Sequence, residues 1–299
     1  MTLPEFPDSR EILLDDKPLF DAALAERPPE LSAYTFTNIF AWREPYGASV
    51  SQLGGQIVVH HERDRGRFCL EPIGKGDVRA TMEAAWGRSD PGTLQFERVQ
   101  SATADLFRDD PAFEVSLDRD DSDYLHASSD LIELPGRKYD AKRNFIKRFQ
   151  SSYDYEYVVL TGETAAECHD FADQWCEERS CQTVEGLRRE QCAVYQMLTN
   201  FDALGIRGGA IRVSGAIVAF SLGEALNPET LVVHVEKADS QYEGLYQVIN
   251  NEFCSREARH FAWVNREQDL GVPGLRKAKE SYHPVRMVEA YRIRLRGPV

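Results

Sequence analysis

The spacing of apolar residues in the second half of the chain changes repeatedly between the period of a strand and that of a helix. Short apolar or alternating runs predict strands, and apolar residues three and four positions apart predict amphipathic helices. The predicted order is strand, two helices, three strands, helix, strand, helix and strand. These elements cover residues 155–161, 165–178, 187–204, 208–213, 216–226, 230–238, 246–259, 261–265, 275–282 and 286–293.

The first half shows an imperfect copy of this order. Two helices come first, and Ser32 is a candidate cap for the second of them. The first-half elements are predicted at residues 20–25, 34–42, 48–53, 56–62, 67–73, 78–86, 93–99, 102–107 and 112–117. A length of 299 residues also suits two domains. We therefore expect an α/β (α+β) protein with domains at residues 1–135 and 136–299.

The predicted strand "FAWVN" (261–265) runs directly into the charged residues Arg266, Glu267, Gln268 and Asp269, and then into a basic helix. A second basic helix is predicted at 137–149, the junction of the two halves. Six bases fall within twelve of its residues: Arg137, Lys138, Lys142, Arg143, Lys147 and Arg148. Arginine offers a two-pronged donor for phosphate or carboxylate. A solvated amphipathic helix is the other interpretation of this segment.

Charge and composition narrow the functional classes. The net charge is −14, which argues against DNA as a partner. Residues 1–135 carry 26 acids and 13 bases, and residues 136–299 carry 23 acids and 22 bases, so the bases cluster in the second half. No apolar run is long enough to cross a bilayer, and the acidic N-terminal residues do not resemble a targeting peptide. We therefore expect a cytoplasmic protein.

The six cysteines contain no CxxC pair, which predicts free thiols and no metal site. The adjacent pair His60 and His61 lacks an evident third ligand. No arrangement of Ser-His-Asp or Cys-His suggests covalent catalysis.

Four segments carry a resemblance to a known family: "YTFTNIFAWR" (34–43), "GRKYDAKRNFIKRF" (136–149), "VVHVEKADSQYEGLYQVINNEF" (232–253) and "NREQDLGVPGLRKAKESYHP" (265–284). They resemble the family of the C-terminal domain of bacterial phosphatidylglycerol lysyltransferase. The resemblance implies two tandem GNAT-like acyltransferase domains with mixed central sheets flanked by helices. Characterised relatives transfer an aminoacyl group from a charged tRNA to an amine or hydroxyl, and the Fem-type ligases are structurally similar. A shared fold does not fix the function.

The resemblance also implies where the chemistry occurs. In a GNAT fold the fourth and fifth strands splay apart around the acyl group, which here places residues 230–238 and 261–265 at the gap. Direct transfer needs a base, an acid and a donor to the carbonyl oxygen. Glu236 or Glu267 is expected as the base and Tyr282 as the acid. The residues expected to bind substrate are Arg137, Lys138, Lys142, Arg143, Asn144, His234, Lys237, Tyr246, Asn265, Arg266, Asp269, Arg276 and Lys277.

The acyl donor stays open at this point between aminoacyl-tRNA and acyl-CoA. CoA-dependent relatives carry Gln/Arg-x-x-Gly-x-Gly/Ala before the helix that holds the pyrophosphate, and here Tyr246 occupies the last small position after Gln241 and Gly244. This substitution favours the acceptor end of a charged tRNA. An acetyl-CoA-dependent N-acetyltransferase and a non-catalytic module for an amino acid or peptide are the alternatives. The charged residues could equally form a structural ion-pair network.

Overall fold

A computed structural model describes residues 2–63 and 66–296, and its first half contains the full repeat of the element order. The elements are β1 (Arg10–Glu11), α1 (Lys17–Glu26), α2 (Phe36–Ala41), β2 (Ser49–Leu53), β3 (Gln56–Arg63), β4 (Gly66–Cys69), α3 (Val78–Gly87), β5 (Leu94–Gln100), α4 (Ser101–Asp105) and β6 (Phe113–Ala127). The copy looked imperfect because β1 has only two residues, too few to show a period.

The second half follows the predicted order and adds two short helices. Its elements are α5 (Ser128–Glu133), α6 (Asp140–Ser152), β7 (Tyr155–Val159), α7 (Gly162–Glu178), α8 (Glu185–Thr199), α9 (Phe201–Leu204), β8 (Arg207–Val213), β9 (Ala216–Asn227), β10 (Thr230–Ala238), α10 (Leu245–Glu257), β11 (Trp263–Asn265), α11 (Pro273–Glu280) and β12 (Arg286–Leu295). A 3-10 turn at Arg137–Tyr139 precedes α6. The expected α/β class and the tandem GNAT-like order are confirmed.

The predicted cap of the second helix is wrong. Thr35 caps α2, since its side chain accepts a hydrogen bond from the Asn38 amide. Ser32 lies in the preceding 3-10 turn and hydrogen-bonds Asp123, through its amide at 2.6 Å and its hydroxyl at 3.1 Å. Ser32 therefore bonds the carboxylate of Asp123 and not the amides at the start of α2. Sequence spacing does not reveal a partner so far along the chain.

The expectation of six free thiols is wrong for two of them. Cys176 near the end of α7 forms a disulfide with Cys181. Ser180 adopts a left-handed conformation (φ 54°), and the turn brings the two Cα atoms to 5.1 Å. Four cysteines are free, namely Cys69, Cys168, Cys192 and Cys254.

The chain forms two compact units. The first contains Met1–Asp123, Gln268–Pro273 and Met287–Val299, and the second contains Tyr124–Glu267 and Gly274–Arg286. These units describe packing, and the division into domains at residue 135 stays a prediction. No described helix combines the length and apolar character needed to span a membrane.

Each repeat ends in a strand that pairs with the strands of the other repeat. These strands are β6 in the first repeat and β12 in the second. In the first unit the strand order is β1-β2-β3-β4-β5-β12, and β12 is antiparallel to β5. In the second unit the end of β6 lies beside β11, followed by β10, β9, β8 and β7. Each unit therefore needs a strand from the far repeat to complete its own run of paired strands.

Each unit has its own apolar core. In the first, Tyr291 and Ile293 of β12 join a cluster that includes Trp86, Phe96 and Phe107. In the second, one cluster lies around Tyr139, Phe253 and Tyr282, and another around Phe149, Val248 and Ile249. Burial of this apolar surface stabilises each sheet against its helices.

The pairing of β12 with the first unit, which we call the strand exchange, predicts unequal losses of stability for two apolar truncations on β12. Ile293 is fully buried and Leu295 is 41% exposed. We expect Ile293→Ala to lower the free energy of unfolding by about 2–5 kcal/mol, the usual range for a core truncation, and Leu295→Ala to cost much less. Urea unfolding followed by tryptophan fluorescence measures both variants. Equal losses would contradict the role of β12 in the first core.

Candidate functional site

Strands β10 and β11 are paired over only three residues each. The parallel pairs are Thr230 with Trp263, Leu231 with Val264, and Val232 with Asn265. Beyond them β10 continues to Ala238, held by β9 alone, while the chain leaves β11. The unpaired part of β10 carries His234 and Glu236, so the two strands separate where the sequence places its charges.

His234 sits at an irregularity of β10. The register between β9 and β10 shifts between Val233 and Val235, and a bulge of this kind re-aims the side chain it contains. Gly223 lies opposite, and a Cβ there would collide with the Val232 carbonyl oxygen. Glycine is therefore required for β9 to approach this closely.

The His234 ring is held between two carboxylates. Its Nε2 lies 2.9 Å from Glu224 Oε1 on β9, and its Nδ1 lies 2.8 Å from Glu267 Oε1 beyond β11. The His234 side chain is fully buried, whereas Glu224 and Glu267 are 15% and 14% exposed. One imidazole therefore joins β9, β10 and the turn after β11, and we call these three residues the histidine clamp (Glu224, His234 and Glu267).

The charge state of the clamp follows from two opposing effects. Burial alone would lower the pKa of His234, but the hydrogen bonds and charges of Glu224 and Glu267 outweigh it and raise this pKa to about 9. The imidazolium donates to both carboxylates at neutral pH. The clamp therefore holds one imidazolium between two carboxylates.

Glu267 adopts a backbone conformation that non-glycine residues seldom take, with φ 56°. The buried side chain of Asn265 supports it, because its Oδ1 accepts a hydrogen bond from the Glu267 amide at 2.8 Å. Strained residues of this kind concentrate at functional sites. Asn265 therefore shapes the turn that delivers Glu267 to His234.

A second ionic group lies beside the clamp on the same strands. The Glu236 carboxylate accepts hydrogen bonds from Arg266 Nη2 at 3.1 and 3.3 Å and from Asn250 Nδ2 at 2.9 Å. The Arg266 and Glu236 side chains are 11% and 15% exposed. Here one cation balances one anion, in contrast to the clamp.

Arg266 and Lys142 both cover the ring of Tyr282, with distances to its centroid of 4.6 Å and 4.0 Å. Lys142 of α6 also donates to Ser281 Oγ at 2.7 Å. Burial and the charge of Arg266 lower the pKa of Lys142 to about 8, against the opposing effect of Glu236. Burial raises the pKa of Tyr282 well above that of free tyrosine, although Arg266 opposes this change.

Lys237 forms a third group on β10. Its ammonium donates to Glu190 Oε1 at 2.7 Å and lies 3.5 Å from the centre of the Trp175 indole. The indole Nε1 donates to the Tyr246 hydroxyl at 3.2 Å. Burial lowers the pKa of Lys237, and Glu190 opposes that shift. Glu190 and Trp175 lie on the two long helices α8 and α7, so this group connects both helices to the sheet.

The basic residues of the junction segment are largely occupied by nearby groups. Arg143 donates to the carbonyls of Leu134 and Gly136 and to the Asp140 carboxylate. Lys138 pairs with Asp130 at 3.0 Å. Two further predicted residues, Arg137 and Asn144, are exposed on the same segment.

Asp269, Arg276 and Lys277 are the three remaining predicted residues. Asp269 belongs to the first unit, where it is buried and forms an ion pair with Arg119 at 3.0 Å. Arg276 is half-buried and Lys277 is exposed on α11. Their roles in substrate binding stay predictions.

Sequence reasoning missed four partners of the predicted residues: Glu224, Asn250, Glu190 and Trp175. Two of them left a signal. Glu224 interrupts the apolar run of β9, and Asn250 falls on the buried face of α10. A polar residue at a position whose period predicts burial needs a partner, but only the fold shows which one.

The histidines of β3 are explained by local contacts. The His60 ring nitrogen lies 2.6 Å from Ser51 Oγ, and His61 stacks on Phe68 at 4.4 Å. Within residues 2–63 and 66–296 no group of three or more His, Cys, Asp and Glu side chains is arranged to hold a metal ion.

Comparison with known proteins gives both a family and a fold. The family model described as phosphatidylglycerol lysyltransferase, C-terminal, matches residues 25–294. A crystal structure of a conserved protein of unknown function from Bacteroides thetaiotaomicron is 36% identical, with a TM-score of 0.89 over 96% of this chain and 99% of that one. No curated protein matches the sequence.

Two more distant structures share the fold. The C-terminal domain of a putative lysylphosphatidylglycerol synthetase from Agrobacterium fabrum is 14% identical, with a TM-score of 0.66 over 95% of this chain and 93% of that one. The L-PGS of Bacillus licheniformis is also 14% identical, with a TM-score of 0.59 over 92% of this chain and 95% of that one.

The histidine clamp predicts a loss of stability at alkaline pH. The folded pKa of His234 is about 9, above its unfolded value of ~6.5. The stabilisation is therefore complete below pH ~6.5 and disappears as the pH rises through about 9. This pKa shift corresponds to roughly 3 kcal/mol of stability. The wild type should lose this amount of its free energy of unfolding between about pH 6.5 and pH 10, and His234→Gln should remove that loss.

Urea unfolding across that pH range measures the effect. The matched control is His260→Gln, which alters an exposed histidine and should leave the profile of the wild type unchanged. If His234→Gln and wild type lose stability in parallel, the imidazolium is not the stabilising species.

Proposed function

This chain belongs to the family of the C-terminal domain of phosphatidylglycerol lysyltransferase, and from that membership we propose that it transfers an aminoacyl group from a charged tRNA to an amine or hydroxyl acceptor. The GNAT-like fold and the family are both consistent with an acyltransferase-like activity. The choice of an aminoacyl ester as donor is the proposal. It assigns the chain to the cytoplasm, where charged tRNA is found, as the sequence predicted.

The observation that carries the proposal is the contact between α6 and the start of α10. Gly244 caps α10 in a left-handed conformation (φ 87°), and a Cβ there would lie 2.5 Å from the carbonyl oxygen of Phe145. A CoA pyrophosphate binds to bare amides at a helix N-terminus. Here a carbonyl, which repels phosphate, is packed against that position, and Glu243 beside it pairs with Arg148 at 3.2 Å.

An aminoacyl ester places no pyrophosphate at this helix, so the same contact does not oppose it. The ester of a charged tRNA is also activated enough to react with an amine without a covalent enzyme intermediate. Its acceptor end would meet the exposed bases of the junction segment, Arg137 and Lys147, through phosphate contacts.

Glu267 is the better of the two predicted bases. Glu236 is neutralised by Arg266 and also bonded by Asn250. Glu267 instead bonds the imidazolium of His234, which a second carboxylate, Glu224, also bonds. We assign Glu267 the removal of the proton from the attacking amine or hydroxyl.

Tyr282 suits the role of the acid because it is protonated at neutral pH. Because burial raises its pKa, it keeps its proton at neutral pH. It therefore releases that proton only to a strong base, such as the ribose oxygen as it leaves the ester. Arg266 over the ring stabilises the phenolate that remains.

Binding measurements separate the two donors. We expect a non-hydrolysable aminoacyl-adenosine to bind in calorimetric titration, and acetyl-CoA to show no low-micromolar dissociation constant. Acetyl-CoA binding near 1 μM, about −8 kcal/mol, without binding of the mimic would make the chain an N-acetyltransferase instead.

Substitution of the proposed base tests the mechanism. Glu267→Gln should slow the transfer of labelled aminoacyl groups from charged tRNA to added amines by about 100-fold or more. Glu229→Gln changes an exposed glutamate in the β9–β10 turn and serves as the matched control. Melting curves distinguish loss of a base from loss of fold, since breaking a buried ion pair costs ~3–5 kcal/mol. No transfer by the wild type from any charged tRNA would refute the proposal.

A further inference from the structure

Lys142 differs from Lys138 and Lys237 in its surroundings. No carboxylate of the described residues forms an ion pair with it, whereas Lys138 pairs with Asp130 and Lys237 pairs with Glu190. The nearest acid, Glu236, is held by Arg266 and Asn250. The Lys142 ammonium therefore lacks the compensation that a half-buried charge needs.

The groups around Lys142 also disfavour its positive charge. Arg266, from the end of β11, covers the same Tyr282 ring and repels a second cation there. The contact from the segment after α11 is the Ser281 hydroxyl, which accepts one hydrogen bond at 2.7 Å and itself donates to Ala278 O. One neutral acceptor does not replace a carboxylate.

From this geometry we propose that Lys142 is a site of Nε-acylation by activated acyl donors, that is, acyl phosphates and thioesters. The neutral amine attacks the carbonyl carbon, a C–N bond forms, and the C–O or C–S bond to the leaving group breaks. The phosphate or thiolate leaves, and the extra proton of the new amide nitrogen passes to solvent. This site does not depend on the proposed aminoacyl transfer.

Half-burial matters because the amine lacks a carboxylate partner while part of the side chain stays exposed. The lowered pKa of Lys142, about 8, agrees with the geometry: roughly half of the molecules carry the free amine at pH 8. An ordinary lysine, with a pKa of ~10.4, is neutral in roughly 0.4% of molecules at that pH. The lower basicity of the Lys142 amine reduces its intrinsic nucleophilicity and offsets part of this gain.

Acylation would remove a cation from the Tyr282 ring and leave Arg266 as the only charge over it. The modification therefore changes the electrostatics of the second ionic group without touching its two members.

The test is limited labelling of the intact wild-type protein with acetyl phosphate, followed by peptide mass spectrometry. The matched internal control is Lys147, which is exposed on the same helix. At pH 8 we expect Lys142 to be acetylated about tenfold faster than Lys147, with a half-maximal rate near pH 8. Equal or slower labelling of Lys142 would overturn the proposal.

A variant tests the cause of this reactivity. Arg266→Gln removes the neighbouring cation and frees Glu236 to pair with Lys142, so the preference over Lys147 should fall several-fold. A melting curve verifies that this variant folds. If the Arg266→Gln variant does not fold, Lys142→Arg in the wild-type background still checks that Lys142 is the acetylated residue, because the labelled peptide must then disappear. A preference that persists in folded Arg266→Gln would also contradict the proposed cause.

Discussion

The second unit depends on one imidazole that is shared by two carboxylates. His234 links β9 through Glu224 to the turn after β11 through Glu267, at the point where β10 and β11 no longer pair. Two strands that separate leave backbone groups and side chains without sheet partners, and this opening would otherwise close or fill with water. The imidazolium, with one N–H bonded to each carboxylate, holds the ends at a fixed distance where the strands no longer pair.

Local geometry along the chain serves this clamp. The bulge at His234, the close approach at Gly223 and the left-handed Glu267 are each unfavourable alone. Together they direct three side chains to one point. The neighbouring pair of Glu236 and Arg266 lies in the same opening and joins one carboxylate to one guanidinium.

The element order and the place of the charged cluster could be predicted from the sequence, because apolar periods report which face of each element is buried. The partners could not. His234 and Glu267 are distant in sequence, and their contact depends on a bulge and a left-handed residue that have no periodic signal. The basic junction segment looked like a ligand surface, yet Arg143 and Lys138 meet nearby carbonyls and an acid. The pattern of charges along a short segment does not reveal that its bases already have partners within the protein.

The strand exchange has a consequence for how the chain is made. The first unit receives β12 (Arg286–Leu295), which the chain reaches only after β7 to β11. During synthesis, β5 therefore emerges from the ribosome long before its neighbour exists, and its edge stays open to other strands. An open edge in a slow, non-local topology invites association with chaperones or with other nascent chains. The neighbour of β5 is in place only after β12 has been translated.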